Sequence, residues 1–95
     1  MSGVSYQEAQ ADSSLRVQDM QRAIKSLMEE LDAVDFYHQQ VEACTDPALK
    51  ALLARNRDEE NEHVSMLLQW IRRNDDCLDE ELREYLFSNG EIAHL

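Results

Sequence analysis

The sequence predicts an all-α protein, in which an antiparallel two-helix hairpin and a short C-terminal helix dimerise into a four-helix bundle. Only two glycines and one proline interrupt the 95 residues, and no segment alternates apolar and polar side chains as a strand would. Apolar residues instead recur at steps of three and four through two long segments. The single proline, Pro47, lies between these segments and predicts the turn of a hairpin.

The first helix is predicted to run from about Leu15 to about Ala43, behind a flexible polar segment over residues 1–14. Ser13 or Ser14 is its expected N-cap. At ~1.5 Å per residue this helix is about 43 Å long, which exceeds the roughly 32 Å diameter of a compact domain of this size. Residues 15–95 are expected to form one helical domain. Because its first helix is longer than a compact domain, the chain is not expected to be a compact monomer. The apolar stripe of the helix comprises Met20, Ile24, Leu27, Leu31, Val34, His38 and Val41.

The break after Ala43 starts a second helix, from Pro47 to about Arg73. Asp46 or Thr45 caps it, and Pro47 occupies the first position, where a missing N–H costs nothing. So short a connection folds two helices antiparallel. The stripe of this helix comprises Leu49, Leu53, Asn56, Glu60, His63, Leu67 and Trp70, and a second apolar stripe of Val64, Leu68 and Ile71 indicates a further neighbour.

A third, short helix is predicted to begin at residues 74–76, which supply an N-cap and an acidic first turn, and to run to about Phe87. Its apolar residues are Leu78, Leu82, Tyr85 and Leu86, and Ser88-Asn89-Gly90 is expected to end it. The acidic residues along it, Asp75, Asp76, Asp79, Glu80, Glu81 and Glu84, are interpreted as a solvated face. Ca²⁺ binding is the sharper alternative, although the spacing and glycine of an EF-hand loop are absent.

Polar residues in the middle of the second stripe predict a metal site. Glu60 and His63 are three apart and share one helix face. Glu30 lies as far before the turn as Glu60 lies after it, so the three side chains can converge. Two hairpins related by a two-fold axis then supply four glutamates and two histidines, the ligand set of di-iron four-helix bundles. One imidazole per metal leaves positions open for O₂.

Two alternatives remain open from the residues alone. His63 could be a satisfied core histidine and Glu60 could pair with Arg57, since a polar seam can set helix register without metal. The protein would then be a non-catalytic acidic helical-hairpin interaction module. His38 also lies in a stripe, with Asp35 three residues before it and Glu42 four residues after it, and it is interpreted as a structural residue or as a neighbour of the metal ligands.

Composition excludes several classes of function. The formal net charge of −11 argues against nucleic acid and suits a protein that attracts cations such as Fe²⁺ or Ca²⁺. No apolar run is long enough to cross a membrane, and the N-terminus lacks the pattern of a secretory signal. Cys44 and Cys77 are far apart and predict free thiols in a reducing cytoplasm.

Several separated segments resemble the encapsulated ferritins in order and spacing. They are Ser26-Leu27-Met28-Glu29-Glu30-Leu31-Asp32-Ala33-Val34-Asp35-Phe36-Tyr37, Thr45-Asp46-Pro47, Asn56-Arg57-Asp58-Glu59-Glu60-Asn61-Glu62-His63, Trp70-Ile71-Arg72-Arg73 and Tyr85-Leu86-Phe87. The resemblance implies a ferritin-like four-helix bundle of two subunits and a ferroxidase that oxidises Fe²⁺ to Fe³⁺ with O₂ at a di-iron centre between them. It also implies a decameric open ring of five dimers that resides in the cytoplasm inside an encapsulin shell, where the iron is stored.

The resemblance also implies roles for individual residues. Glu30, Glu60 and His63 match the iron ligands of the family, and Tyr37 matches a tyrosine beside the centre. Glu29 and Asp32 match acidic residues that draw metal in along the dimer axis, and Ca²⁺ is a second candidate ion at such positions. Two departures are Asp32 where glutamate is expected and Phe36 where tryptophan is usual. The shell-targeting tail of the family does not appear in this sequence, which ends at Leu95.

Overall fold

The computed structural model describes the backbone of residues 6–93 and the side chains of residues 13–93. Its helices are α1 (Tyr6–Ala43), α2 (Pro47–Arg73) and α3 (Asp76–Tyr85). Within this range α1 packs along α2, α3 packs on α2 alone, and no strand occurs. The prediction of an all-α hairpin with a short third helix is therefore confirmed.

The N-terminal end of α1 differs from the prediction. The helix begins at Tyr6 rather than at about Leu15, so Ser13 and Ser14 lie within it and neither is its N-cap. The segment Gln7-Glu8-Ala9-Gln10-Ala11 consists of strong helix formers, which explains why the helix extends through a stretch predicted to be flexible. The rest of that predicted flexible segment, residues 1–5, lies outside the described residues.

The start of α2 follows its capping residues. The Asp46 carboxylate accepts a hydrogen bond of 2.8 Å from the Leu49 N–H, and Pro47 occupies the first turn. One of the N–H groups that the helix leaves without a backbone partner is thereby satisfied. Arg72 and Arg73 lie in the last turn, where positive charge complements the helix dipole. The predicted bounds of the second helix are confirmed.

The third helix begins as predicted and ends earlier. The Asp75 carboxylate accepts a hydrogen bond of 3.0 Å from the Leu78 N–H. The helix ends at Tyr85, and Phe87 then adopts a φ of 63°. A bulky side chain rarely takes this left-handed conformation, which glycine adopts readily. The turn out of the helix is therefore made at Phe87 and not at Ser88-Asn89-Gly90.

An ion-pair cluster fastens α3 to α2. The carboxylate of Asp79 accepts hydrogen bonds from Arg72 of α2 and, at 2.9 Å, from Arg83 one turn further along α3. The hydrogen bonds from Arg72 and then Arg83 hold the pKa of Asp79 below its usual value. This acidic residue is consequently not part of a simple solvated face.

Replacing Asp79 by asparagine should loosen α3 without unfolding the hairpin, because the neutral amide cannot bind two guanidinium groups as strongly. Amide hydrogen exchange in α3, corrected for intrinsic rates, should be faster in the variant at pH 7. Since the pKa of Asp79 is lowered on folding, its contribution is present above the unfolded pKa and is lost as the pH falls through the folded one. The exchange rates of variant and wild type should therefore converge at low pH. Equal exchange rates at pH 7 would contradict the role of Asp79 in holding α3 on α2.

The single chain has almost no interior. Among the described residues only Ala23 and Ile71 are buried apolar side chains. The radius of gyration is 19.1 Å and the longest dimension is 65 Å, whereas a compact domain of this length has a radius of gyration of about 12 Å. The single chain is therefore extended, as the predicted length of the first helix implies. Within residues 6–93 no helix has the length and apolarity needed to cross a bilayer.

The predicted stripe on the first helix is partly wrong. Ile24, Leu31 and His38 are exposed in the hairpin. The half-buried or buried residues along α1 are instead Ala23, Leu27, Glu30, Val34, Tyr37 and Val41, with Met20, Ser26 and Ala33 beside them. The helix has two apolar lines that are close in sequence, and steps of three and four fit both, so periodicity alone could not assign the one that meets α2.

Candidate metal centre

The site lies at the middle of the hairpin. Glu60 is the midpoint of α2 (Pro47–Arg73), and Glu30 is as many residues from the end of α1 at Ala43 as Glu60 is from Pro47. Because the helices run antiparallel from a short turn, the two glutamates lie at the same height. His63 follows Glu60 by slightly less than one helical turn and lies above it on the same helix.

The three side chains meet in the structure. The Nδ1 atom of His63 lies 3.4 Å from an oxygen of Glu30 and 3.4 Å from an oxygen of Glu60. One ligand atom from each residue lies within 4.8 Å of the other two. Two ligands of a single transition-metal ion at about 2.1 Å are at most about 4.2 Å apart, so small side-chain adjustments bring all three onto one ion.

The site is partly sheltered and open on one side. The side chains of Glu30 and Glu60 are 29% and 22% exposed, whereas that of His63 is 47% exposed. Two partly desolvated carboxylates at close range repel one another, and a bound cation would remove that repulsion. The open side at His63 leaves room for further ligands from outside the chain.

The donor set fits iron. Carboxylate oxygens and an imidazole nitrogen bind Fe²⁺ and related divalent ions, and two carboxylates with one imidazole leave coordination positions free. Across the part of the chain that the structure describes, Glu30, Glu60 and His63 are the one group of three potential ligands brought this close. The acidic residues of α3 form no comparable group there, and Cys44 and Cys77 are free thiols.

The arginine pairing proposed as the alternative for Glu60 does not occur. Arg57 binds the neighbouring Asp58, with 3.3 Å between its Nε and a carboxylate oxygen. The described partner of Glu60 is His63. This geometry favours the metal site over a glutamate that is neutralised within its own chain.

The other predicted site residues lie outside the cluster. Tyr37 is half-buried on α1, and its described contact is an edge-on one with Phe36, with 5.3 Å between ring centroids. Glu29 and Asp32 are exposed on α1. Their assignment as positions that draw metal in, and that of Tyr37 beside the centre, remain predictions.

The sequence interpretation missed the role of Asp79. The signal was present, because Asp79 and Arg83 are spaced four apart on a helix and form an ion pair. The second partner, Arg72, comes from another helix and could not be read from spacing.

The chain is similar to known proteins over most of its length. A family model described as EncFtn-like matches residues 5–89. The "Encapsulated ferritin-like protein" of Rhodospirillum rubrum is 62% identical over 72 residues, which are 76% of this chain and 51% of the relative. The chain thus spans about half the length of that protein.

Two further relatives extend the match along the chain. The "Ferritin-like protein" of Thermotoga maritima is 43% identical over 90 residues, covering 95% of this chain and 79% of the relative. The crystal structure of protein ne0167 from Nitrosomonas europaea superposes with a TM-score of 0.80 at 54% identity, covering 97% of this chain and 91% of that one.

Proposed function

Because the chain belongs to the EncFtn-like family, we propose that it is a ferroxidase that oxidises Fe²⁺ to Fe³⁺ with O₂ at a di-iron centre shared by two copies. The observation that carries the proposal is the convergence of the Glu30, Glu60 and His63 ligand atoms within 4.8 Å. The identity to ferritin-like relatives supports iron as the metal.

Two copies are needed because one hairpin supplies an incomplete set of ligands. A two-fold axis on the open side of the hairpin would join the three ligands with three more, giving four carboxylates and two imidazoles. The four negative charges would balance the four positive charges of two Fe²⁺ ions. The same pairing forms a four-helix bundle, in which the exposed apolar side chains beside His63 become covered.

The reaction is a transfer of electrons from iron to oxygen. The two Fe²⁺ ions of the centre would each lose one electron, and one O₂ would take up the two electrons with two protons to give hydrogen peroxide. The carboxylates of Glu30 and Glu60 would stabilise the higher charge of Fe³⁺ more than that of Fe²⁺, which would favour the oxidised product. Glu30, Glu60 and His63 would hold the iron with one imidazole per metal, which would leave coordination positions free.

We propose that the dimers assemble further. The homodimers would form a decameric ring within an encapsulin shell in the cytoplasm, and the shell would hold the oxidised iron. The printed name of the Rhodospirillum rubrum relative, an encapsulated protein, supports the association with a shell. The high negative charge of the chain would help to attract Fe²⁺.

Titration of the metal-free protein with Fe²⁺ under nitrogen tests whether the site binds iron, independently of whether it oxidises iron. Binding should saturate at one iron per chain, and exposure to air should then produce Fe³⁺ absorbance faster than the same iron in buffer. A non-catalytic interaction module would bind no stoichiometric iron. Stoichiometric binding without faster oxidation would support a metal site and reject a ferroxidase.

A further inference from the structure

A methionine lies beside the open side of the candidate metal centre. Met66 follows His63 by three residues on α2, so the two side chains are neighbours on one face of that helix. At about 100° per residue, His63 and Met66 are turned from Glu60 in the same sense, by roughly 60° and 120°. Long side chains in a helix lean towards its N-terminus and cover the preceding turn. The thioether of Met66 therefore leans towards the exposed side of the His63 imidazole.

The side chain of Met66 is both accessible and oxidisable. It is 56% exposed in the hairpin, so packing within the chain does not account for it. A thioether is polarisable and apolar like a leucine side chain, but peroxides and related oxidants convert it to a sulfoxide, which a leucine cannot become. An oxidisable sulfur thus lies next to the place where iron and O₂ would react.

Most other described sulfur atoms are farther from the centre. Cys44 follows Glu30 by fourteen residues, which corresponds to about 21 Å along α1. The helix α2 ends ten residues, or about 15 Å, past His63, and Cys77 lies beyond that end. Met20 is half-buried and lies ten residues, again about 15 Å, before Glu30. None of these groups would meet a product of the centre first.

Met28 is a matched comparison for Met66. It precedes Glu30 by two residues, so it lies at nearly the height of the centre but about 200° around the axis of α1, on the opposite side of that helix. Its side chain is 62% exposed, close to the 56% of Met66. The two methionines therefore differ mainly in which side of the hairpin they occupy.

We propose that Met66 is a peroxide-consuming site, whose thioether reduces hydrogen peroxide formed at the iron centre and becomes methionine sulfoxide. The proposal rests on the proposed function, because oxidation of two Fe²⁺ ions by O₂ supplies the peroxide. The sulfur lone pair forms a bond to one peroxide oxygen as the O–O bond breaks. The proton on the transferred oxygen passes to the departing hydroxide, which leaves as water. The sulfur loses two electrons and the peroxide gains them.

The position of Met66 would protect the centre from its own product. Fe²⁺ reduces hydrogen peroxide by one electron to hydroxide and a hydroxyl radical, which attacks nearby side chains such as that of His63. A second copy seated on the open side of the hairpin would enclose Met66 together with the centre, so peroxide would pass the thioether on its way to solvent. Each chain supplies one such thioether, and a centre shared by two chains would consume two molecules of peroxide.

Site-resolved mass spectrometry after oxidation of Fe²⁺ in air tests the assignment, with catalase present in solution. Catalase destroys only peroxide that has reached solvent, so Met66 should gain one oxygen atom while Met28 stays largely unmodified. The control is Zn²⁺-loaded protein given hydrogen peroxide from outside, since zinc binds carboxylates and imidazole without redox chemistry. Under those conditions Met28 should be oxidised at least as much as Met66, so the order of the two sites should reverse.

The peroxide released to solvent gives a second measurement. Met66→Leu keeps an apolar side chain of similar volume and removes the sulfur, and Met28→Leu is the matched control. Without catalase, the wild type and Met28→Leu should release less peroxide per iron oxidised than Met66→Leu during the first additions of Fe²⁺. The difference should saturate at one peroxide per chain and should equal the sulfoxide found at Met66.

The outcomes separate this proposal from the ferroxidase itself. Equal oxidation of Met66 and Met28 during iron oxidation would overturn the peroxide site and leave the ferroxidase standing, as would equal peroxide release by Met66→Leu and the wild type. Preferential oxidation of Met66 in the Zn²⁺-loaded protein would indicate intrinsic reactivity rather than a nearby source, and would also overturn it. A wild type that oxidises iron no faster than buffer would reject both proposals together.

Discussion

Replacing Glu60 by glutamine should reduce Fe²⁺ oxidation to the rate of iron in buffer. The amide keeps the size of the side chain and removes its charge, and in the proposed dimer the two-fold axis would make every substitution count twice at one centre. Changes to residues that only support metal ligands typically cost about 10–100-fold in affinity or activity. Loss of two direct ligands at one site should therefore exceed about 100-fold, measured as initial Fe³⁺ absorbance in air.

Glu62→Gln is the matched control for this substitution. Glu62 is the same residue type two positions away on α2, is exposed and belongs to no group of close ligands in the described part of the chain. Its substitution makes the same change in net charge, so it should leave the rate at that of the wild type. Equal losses in the two variants would indicate a general effect of surface charge and would reject Glu60 as an iron ligand.

The starts of α2 and α3 and the convergence of Glu30, Glu60 and His63 were the features most accessible from the sequence. Asp46 before Pro47 marks one helix start, and the structure shows the side chain of Asp46 bound to the N–H of Leu49. Counting outward from that turn placed Glu30 opposite Glu60, and the distances to His63 agree. These predictions succeeded because each depends on local chemistry or on the rise of a straight helix, which accumulates little error over fifteen residues.

Features that depend on which neighbouring helix a residue contacts could not be predicted from the sequence. The steps between Met20 and Val41 fit a line facing α2 and a line facing away from it, and the choice depends on tertiary packing. The early start of α1 at Tyr6 reflects helix propensity in a polar segment, where no apolar pattern was available to reveal it. Asp79 illustrates the same limit, since its second partner Arg72 belongs to another helix.

When an acidic cluster lies at an interface between two chains, association of the chains and metal binding are thermodynamically linked. Without iron, two hairpins that share the proposed di-iron centre would have to bring four carboxylates together, and this repulsion would oppose association. Iron that binds the dimer better than the single chain must stabilise the dimer by the same free energy. In the wild type, Fe²⁺ should therefore lower the dissociation constant of the dimer, whereas a non-catalytic module would not respond.

The double substitution Glu60→Leu with His63→Leu should separate dimer association from iron binding. Replacing a buried charged cluster by apolar residues of similar volume is often stabilising by about 1–4 kcal/mol, because the desolvation cost disappears. The dimer should therefore associate about 5-fold to 1,000-fold more tightly than the wild type in the presence of a chelator, and it should neither bind iron nor oxidise it.

Sedimentation equilibrium with and without Fe²⁺ measures both parts of this prediction. Asp58→Leu with Glu62→Leu is the control, because both side chains are exposed on α2 and lie outside the ligand group. It adds the same number of leucines without removing the ligands, so it should leave the dissociation constant and the response to iron near those of the wild type. A double variant at Glu60 and His63 that associates no more tightly than the wild type in chelator would show that these residues do not face a second copy, and the shared centre would have to be abandoned.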